Sequence, residues 1–292
     1  MKIKDEKGSM AVYVLIVLLS MLLMLTTVFL TSNSARKSQL KTVMGIKQAY
    51  EADNDKAADI YNSITKKSEN KTISYVTDGL ILYYDAVNNT GNGHSNTETT
   101  WKDLSGNGND LVLSNFDNTT TSGWSENALN FDGIDDFGAI STLAQTLQGD
   151  VTISTRIYSQ NANNYRGIYG NYQETDYEIS GMLAQYQDGL MRIGYNSNIV
   201  EINSDLITNK ELTLTIQMGA SIGTKVYING NLVGEKHTDS DSAQPEADFW
   251  IGKSFNTTDR YFLGKMNNFM VYNRLLSDAE IKQNYGVDEA KY

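Results

Sequence analysis

The chain has 292 residues, one proline and no cysteine, so disulfide bonds and thiol chemistry are excluded. This length allows one large or two small domains. The net charge of −11 is uneven, because residues 72–292 contain 13 Lys/Arg and 28 Asp/Glu, which is a net charge of −15. So acidic a region argues against nucleic acid as a partner, since phosphates need neutralising cations.

The first element is an apolar run with no charged residue over positions 8–35. About 20 apolar helical residues cross a bilayer, so we predict a membrane helix over residues 9–35. The leader MKIKDEKG is short and polar, and its small residue precedes the apolar run, unlike the cleavage site of a secretory signal peptide. The order Lys7, Gly8, Ser9 and then the apolar run resembles a type IV prepilin signal.

This resemblance implies that a prepilin peptidase cuts between Gly8 and Ser9. It also implies storage in the cell membrane and assembly with other pilin subunits, through the N-terminal helix, into a filament at the bacterial cell surface. Most pilins have Glu five residues after the cut, where this chain has Tyr13. Minor pilins at a filament tip resemble it in this respect, so we expect a minor, tip-located pilin. The alternative is an N-terminal anchor that is never cut.

Residues 36–66 have apolar side chains at helical spacings, and no proline interrupts them. We therefore predict one helix over residues 9–66. The predicted organisation is a leader (1–8), a membrane or filament-core helix (9–35), an amphipathic helical stem (36–67), a linker (68–78) and a β-domain (79–287).

From residue 73 onwards, short runs rich in Val, Ile, Tyr and Thr alternate with Asn, Gly, Asp and Ser, a pattern typical of strands and turns. The dipeptide Asn229-Gly230 predicts a type I′ hairpin. Regular turns over more than 200 residues predict a two-sheet sandwich or jelly roll. Predicted strands cover residues 80–86, 128–131, 137–139, 151–158, 165–171, 177–185, 190–195, 211–218, 224–228, 231–235, 248–251 and 262–272.

Four segments make the β-domain similar to the concanavalin A-like, laminin G-type jelly rolls of bacterial surface proteins. The last of them contains a capping box, Ser277-x-x-Glu280, which predicts a short closing helix. The predicted fold class is thus a long N-terminal helix plus an all-β concanavalin A-like jelly roll. The segments are WKDLSGNGNDL (101–111), ALNFDGIDDF (128–137), KVYINGNLVGE (225–235) and LGKMNNFMVYNRLLSDAEIKQNY (263–285).

The resemblance implies a structural calcium ion, held by an early strand, a Phe-Asp-Gly turn and the closing strand. Many relatives have an Asp in the closing strand where this chain has Asn267, and an amide oxygen can still coordinate calcium. The alternative is that the aspartates cap turns through hydrogen bonds to the backbone. The candidate ligands are Asp85, Asp132, Asp135, Asp136 and Asn267.

The resemblance also implies a sugar site built from aromatic rings, and hence adhesion to a glycan or to extracellular matrix. A protein ligand and a purely structural tip role remain alternatives. Aromatic residues also fill the cores of sandwiches, so core positions are a second interpretation of the same residues. The candidates are Tyr165, Tyr169, Tyr172, Tyr186, Tyr195 and Trp250.

An acidic segment, Glu174-Thr175-Asp176-Tyr177-Glu178, matches the Glu-x-Asp-x-Glu pattern of a glycoside hydrolase family that shares this fold. Those enzymes have apolar residues at the two intervening positions, and here these are Thr175 and Tyr177. In a laminin G-type register the segment falls in a hairpin turn. We therefore expect that the chain is not an enzyme, with a hydrolase as the least favoured alternative.

Overall fold

The computed structural model describes residues 15, 17–18, 74–89, 93–141, 143, 147, 149–160, 165–174, 179–238, 248–255 and 260–292. The chain divides into two compact units. Residues 1–75 and 282–291 form one unit, and residues 76–281 with Tyr292 form the other.

The predicted long N-terminal helix lies outside the described residues, apart from Leu15, Val17 and Leu18, which are helical. In the part of the chain that the structure describes, no helix has the length and apolar character needed to cross a bilayer. Within the first unit, the Tyr75 hydroxyl donates to Asp288 (2.7 Å) and the Gln283 amide donates to the carbonyl of Ser74 (2.7 Å).

The described part of the second unit is built almost entirely of strands. A 3-10 turn, Ser204–Leu206, is added to them. The closing helix, α1 (Asp278–Lys291), begins in the second unit, and its residues 282–291 belong to the first. The strands are β1 Leu80–Asp85, β2 Thr100–Trp101, β3 Leu111–Ser114, β4 Gly123–Trp124, β5 Leu129–Asp132, β6 Phe137–Ile140, β7 Val151–Ser159, β8 Arg166–Gly170, β9 Gln173–Glu174, β10 Ile179–Ser180, β11 Met182–Gln187, β12 Leu190–Tyr195, β13 Asn198–Asn203, β14 Glu211–Gly219, β15 Gly223–Ile228, β16 Asn231–Lys236, β17 Phe249–Ile251 and β18 Leu263–Tyr272.

Two eight-stranded sheets make up the sandwich, which confirms the predicted all-β jelly-roll class. The first sheet has the order β16-β15-β14-β7-β18-β5-β4, with β1 also paired to β18. The second sheet has the order β13-β12-β11-β8-β17-β6-β3-β2, and β9 and β10 form a separate hairpin. Non-sequential neighbours such as β7 and β18 show that both sheets are assembled from distant parts of the chain.

The core lies between the two sheets and follows the period-two alternation of strands. In β7, Ile153 and Ile157 enter the core, and in β12, Met191 and Ile193 do the same from the opposite sheet. Polar residues alternate with them, so β7 and β12 each give one apolar face to the interior.

Two local predictions are confirmed at turn and cap positions. Asn229 and Gly230, between β15 and β16, both have positive φ (50° and 75°), as a type I′ hairpin requires. At the start of α1 the Glu280 carboxylate accepts from the backbone N–H of Ser277 (2.8 Å), and the Ser277 hydroxyl accepts from the N–H of Glu280 (3.4 Å). This reciprocal pair is a capping box.

Candidate functional site

The outer face of the second sheet carries polar side chains beside a small apolar cluster that is separate from the core, formed by Tyr172, Leu183, Ile199 and Phe255. On β11, Ala184 and Tyr186 belong to the core, whereas Gln185 and Gln187 have the opposite parity. On β12, Arg192 alternates with core residues in the same way. The strands themselves therefore place amide and guanidinium groups on the outer surface of the sheet.

Three of the predicted sugar-binding tyrosines are core residues, which corrects the prediction for them. Tyr169, Tyr186 and Tyr195 are at most 1% exposed, so none offers a ring face to a ligand. The Tyr195 hydroxyl donates to the carbonyl of Gly219 (3.0 Å). Burial also raises the pKa of Tyr169 well above its ordinary value.

Two further candidates, Tyr172 and Trp250, are on the outer side but are covered by neighbouring side chains. Tyr172 packs against Phe255 with ring centroids 4.8 Å apart. The Lys253 ammonium lies 4.8 Å from the Trp250 ring centroid and 4.3 Å from that of Phe137. Burial among these rings lowers the pKa of Lys253. Both rings therefore pack beneath other side chains of the outer face, and neither offers an open ring face to a ligand.

Tyr165 is the predicted residue that the structure leaves accessible. Among the described residues it is the one Phe, Tyr or Trp in the exposed class, with 38% of its surface accessible. The Arg260 guanidinium lies between two rings, 4.5 Å from the Tyr165 centroid and 4.1 Å from the Phe255 centroid. This stack holds the tyrosine ring in a defined position at the surface.

Side chains that were not predicted from the sequence extend this position across the sheet. The Gln187 amide donates to the Tyr165 hydroxyl (3.1 Å), and the Arg192 guanidinium donates to Gln187 Oε1 (3.0 Å). We call Tyr165, Arg260, Gln187 and Arg192 the outer-face platform. It combines an exposed ring with hydrogen-bond donors and acceptors, which is the chemistry that a sugar ring and its hydroxyls require.

The five predicted calcium ligands do not form one site, because the register of β18 separates them. Asp132 is opposite Leu263 and Asp85 is opposite Asn268, five residues further along β18. Five strand residues span roughly 17 Å. Oxygens that share one calcium ion lie about 2.3–2.6 Å from it. The candidates therefore divide into two groups.

The first group is Asp132, Asp135 and Asp136, whose carboxylate oxygens lie within 4.8 Å of one another. Hydrogen bonds occupy much of this group. Asp136 accepts from the Ser122 hydroxyl (2.9 Å) and from the N–H of Asp132 (2.9 Å), while Asp132 accepts from the N–H of Ile134 (2.7 Å). Burial raises the pKa of Asp136 to about 7. These contacts are the turn caps that the sequence offered as the alternative.

The second group is Asp85 and Asn267, which are 1% and 5% exposed. The hydroxyl of Tyr292 donates to Asp85 Oδ1 (3.1 Å) and to the carbonyl of Asn267 (3.2 Å). The Asn267 amide nitrogen donates to the carbonyl of Asn127 (2.8 Å), whereas Asn267 Oδ1 is buried without a hydrogen-bond partner in the described structure. Asp85 also accepts from the Tyr83 hydroxyl (2.9 Å) and from the N–H of Val87 (3.0 Å), so both of its carboxylate oxygens already have hydrogen-bond partners. The unpaired Asn267 Oδ1, one residue from the β18 partner of Asp85, is the atom of this group that can take a hard cation such as calcium.

A family model described as the concanavalin A-like lectin/glucanases superfamily, of the laminin G type, matches residues 131–282. The chain belongs to this superfamily. No curated protein matches the sequence. The resemblance seen in the sequence segments is thereby confirmed over residues 131–282.

Solved structures with the superfamily fold include enzymes and binding domains. A Trypanosoma rangeli sialidase in complex with sialic acid has a TM-score of 0.55 at 18% identity, covering 72% of this chain and 33% of the sialidase. A mutant of that sialidase displaying trans-sialidase activity has a TM-score of 0.56 at 16% identity, covering 75% and 35%. The receptor binding domain of botulinum neurotoxin C/D mosaic serotype has a TM-score of 0.52 at 19% identity, covering 72% and 51%. The chain thus spans about a third of the sialidases and half of the toxin domain.

The expectation that the chain is not an enzyme is contradicted by these comparisons. The sialidases are enzymes, and they match this chain's structure as well as the toxin domain does. Membership in the superfamily therefore does not exclude hydrolase activity.

The acidic segment considered as a hydrolase motif begins at the end of β9. Glu174 pairs with Ile179 of β10, which places residues 175–178 between the two strands. The Asp176 and Glu178 of the motif lie outside the described residues.

Proposed function

We propose that the β-domain binds carbohydrate at the outer-face platform. The observation that carries this proposal is the Phe255–Arg260–Tyr165 stack, which presents an exposed ring beside the Gln187 amide. A ring that is already ordered loses little conformational freedom when a ligand binds, so more of the contact energy is realised as affinity.

The comparisons support this choice of ligand class. The sialidase structure contains sialic acid, and the superfamily is described as one of lectins and glucanases. Sialylated glycans are accordingly the first probes, within an array that also contains neutral glycans.

The test uses the full-length chain purified in detergent, with Tyr165→Ala and Tyr165→Phe as a matched pair. Removing the ring should weaken glycan binding by about tenfold or more, as truncation of an aromatic anchor does. The Phe variant keeps the ring and loses only the hydroxyl contact to Gln187, so it should retain most of the affinity. The same incubation is assayed for released free sialic acid, since sialidases share the fold.

If a folded Tyr165→Ala variant binds glycan with wild-type affinity, the outer-face platform is not the binding site. Absence of any glycan binding by the folded wild-type chain would shift the assignment to a protein ligand or to a structural role at a filament tip.

We further propose that the N-terminal region displays this domain at the bacterial cell surface, as a minor type IV pilin at a filament tip. The uncharged run over positions 8–35 and the Lys7-Gly8-Ser9 junction support this. Prepilin peptidase would produce a mature N-terminus at Ser9, and Gly8→Glu should block this processing. Mass spectrometry finding Met1 on the mature wild-type protein would contradict the proposal. Immunogold labelling spread evenly along filament shafts would contradict the tip position.

We also propose that a structural calcium ion is held by Asp85 and Asn267. Calcium at 100 times its dissociation constant should stabilise the domain by about 2.7 kcal/mol relative to EDTA. Asn267→Ala should abolish this shift in thermal melts, while Asp135→Asn should leave it unchanged. The reverse result would assign the ion to the group around Asp132.

A further inference from the structure

We propose that the ligand is a linear oligosaccharide that lies across the strands, from the outer-face platform to a groove at the edge of the sandwich. This inference rests on the proposed carbohydrate binding and specifies its ligand as several sugar units instead of one. The path is defined by the groove, by the hydrogen-bond chain that leads to it, and by the mixed charges along it.

The groove lies where the edge strand of the second sheet, β13, approaches the edge strand of the first sheet, β16. Its volume is about 420 Å³, which is within the range of ligand sites. We call it the edge groove, and it is lined by Arg192, Ile199, Val200, Glu201, Gly234, Glu235 and Lys236.

A glycine permits the two edges to meet. A Cβ atom added at Gly234 would lie 2.6 Å from Val200 Cγ1, closer than real side chains approach. Because position 234 lacks a side chain, the backbone of β16 can lie against Val200 of β13. The groove is therefore a product of the backbone packing and does not depend on a mobile loop.

Arg192 connects the edge groove to the platform, because it lines the groove and also donates to Gln187 (3.0 Å). Gln187 in turn donates to the Tyr165 hydroxyl (3.1 Å). This chain crosses from the start of β8 over β11 and β12 to β13, which are consecutive in the sheet. Three strand spacings amount to roughly 14 Å, a distance greater than a single sugar ring covers.

Both signs of charge occur along the path. Arg192 pairs with Glu201 (3.2 Å) and Glu235 lies 4.0 Å from Lys225, while Lys236 adds a further ammonium group. Hydroxyl groups donate as well as accept, so a chain of sugars can use guanidinium, ammonium and carboxylate groups alike. A polymer with one negative charge at every unit would be repelled by Glu201 and Glu235. The ligand class is therefore a hydroxyl-rich oligosaccharide with few charges.

The experiment measures affinity against chain length with the full-length protein. The probes are sialic acid, sialyllactose and sialyl-lacto-N-tetraose, with N-acetylglucosamine and its linear trimer and tetramer as a neutral series. We expect affinity to increase by about tenfold from the single sugar to the longest member of the series that binds. Lys236→Ala should lower affinity for the longest member by about tenfold, the loss expected for one hydrogen bond to a charged group. It should leave binding of the single sugar unchanged.

The matched control is Lys265→Ala, which removes another exposed lysine of the first sheet, on β18. It should bind every probe like the wild type. Equal affinity for short and long probes would overturn the extended site while leaving carbohydrate binding at Tyr165 in place. An equal effect of the two lysine substitutions would also overturn it. Failure of every probe to bind would overturn the proposed function and this inference together.

Discussion

Replacement of Asp136 by Asn should change how the stability of the β-domain depends on pH. The Asp136 carboxyl is 0% exposed and lies between the Ser122 hydroxyl and the N–H of Asp132. Burial raises its pKa to about 7. An unfolded aspartate has a pKa of about 3.9. The folded state therefore holds a proton that the unfolded state has lost over the range between these values.

The sign follows from proton linkage. Because the folded protein binds more protons, its free energy of unfolding falls as pH rises from about 4 to about 7. A pKa difference of this size corresponds to roughly 4 kcal/mol, fully lost above pH 7. An asparagine does not titrate, although its NH₂ group faces one of the two donors and forfeits about 1 kcal/mol of hydrogen bonding.

We expect the wild type to be more stable than Asp136→Asn at pH 4 and less stable at pH 8. Urea denaturation between these pH values measures both proteins, and all three tryptophans lie in the β-domain, so their fluorescence reports its unfolding. The difference between the two proteins cancels the titration of groups that are remote from position 136, whereas the neighbouring Asp132 and Asp135 carboxylates are coupled to it and contribute to the measured difference.

A difference that stays constant from pH 4 to pH 8, in EDTA, would refute the reasoning. It would mean that Asp136 is ionised in the folded state despite its burial. If the stability difference is constant when calcium is present but changes with pH in EDTA, the result would mean that a cation is bound by Asp132, Asp135 and Asp136.

Four further substitutions test other parts of the fold. Trp101→Ala removes a fully buried ring and should lower the free energy of unfolding by about 3–5 kcal/mol in thermal or urea melts. Gly230→Ala places a side chain at a φ of 75° and should cost about 1–2 kcal/mol. Gly286→Ala, within α1 and free of clashes, should stabilise by about 0.5–1 kcal/mol. The hydrogen bond from Arg274 lowers the pKa of Glu280 to about 2. The wild type should therefore be more stable than Glu280→Gln above pH 4.5, and this difference should vanish as the pH falls to 2. Equal melting temperatures of Gly230→Ala and Gly286→Ala would contradict the two glycine assignments. A stability difference between the wild type and Glu280→Gln that does not change with pH would contradict the assignment of Glu280.

Local signals in the sequence predicted local structure well. The Asn229-Gly230 turn and the Ser277–Glu280 cap depend on residues a few positions apart, and both are confirmed. Strand β13 was not predicted, because Asn198–Asn203 is a short edge strand that depends on pairing with β12. Its contribution to the edge groove was therefore missed as well.

The outer-face platform was predicted only in part, because residue type alone does not distinguish an exposed tyrosine from a core tyrosine, whereas strand parity does. Tyr195 shares the parity of Met191 and Ile193 on β12, and this pattern already places it in the core. The polar residues of opposite parity, Gln187 and Arg192, were the signal for the outer face. Arg260 had no such pattern, since its position between two rings arises from a loop packed on the sheet.

The grouping of the candidate calcium ligands depends on long-range information of another kind. Nothing in the local sequence tells that β1 and β5 pair with successive segments of β18, yet this register separates Asp85 from Asp132. Only the assembled sheet divides the acidic residues into two groups.

If the domain is tethered at its N-terminal side while its opposite sheet holds a ligand, as proposed above, the pairing of β1 with β18 has a mechanical consequence. Tension would reach the sandwich at β1, whose backbone ladder to β18 runs from Leu80–Tyr272 to Asp85–Asn268. Side chains reinforce the start of this ladder. The Tyr272 hydroxyl donates to the carbonyl of Val76 (3.0 Å), and Arg274 binds both the carbonyl (3.1 Å) and the carboxylate (2.9 Å) of Asp78. These contacts, remote from the platform, would set the pulling force at which the sandwich yields.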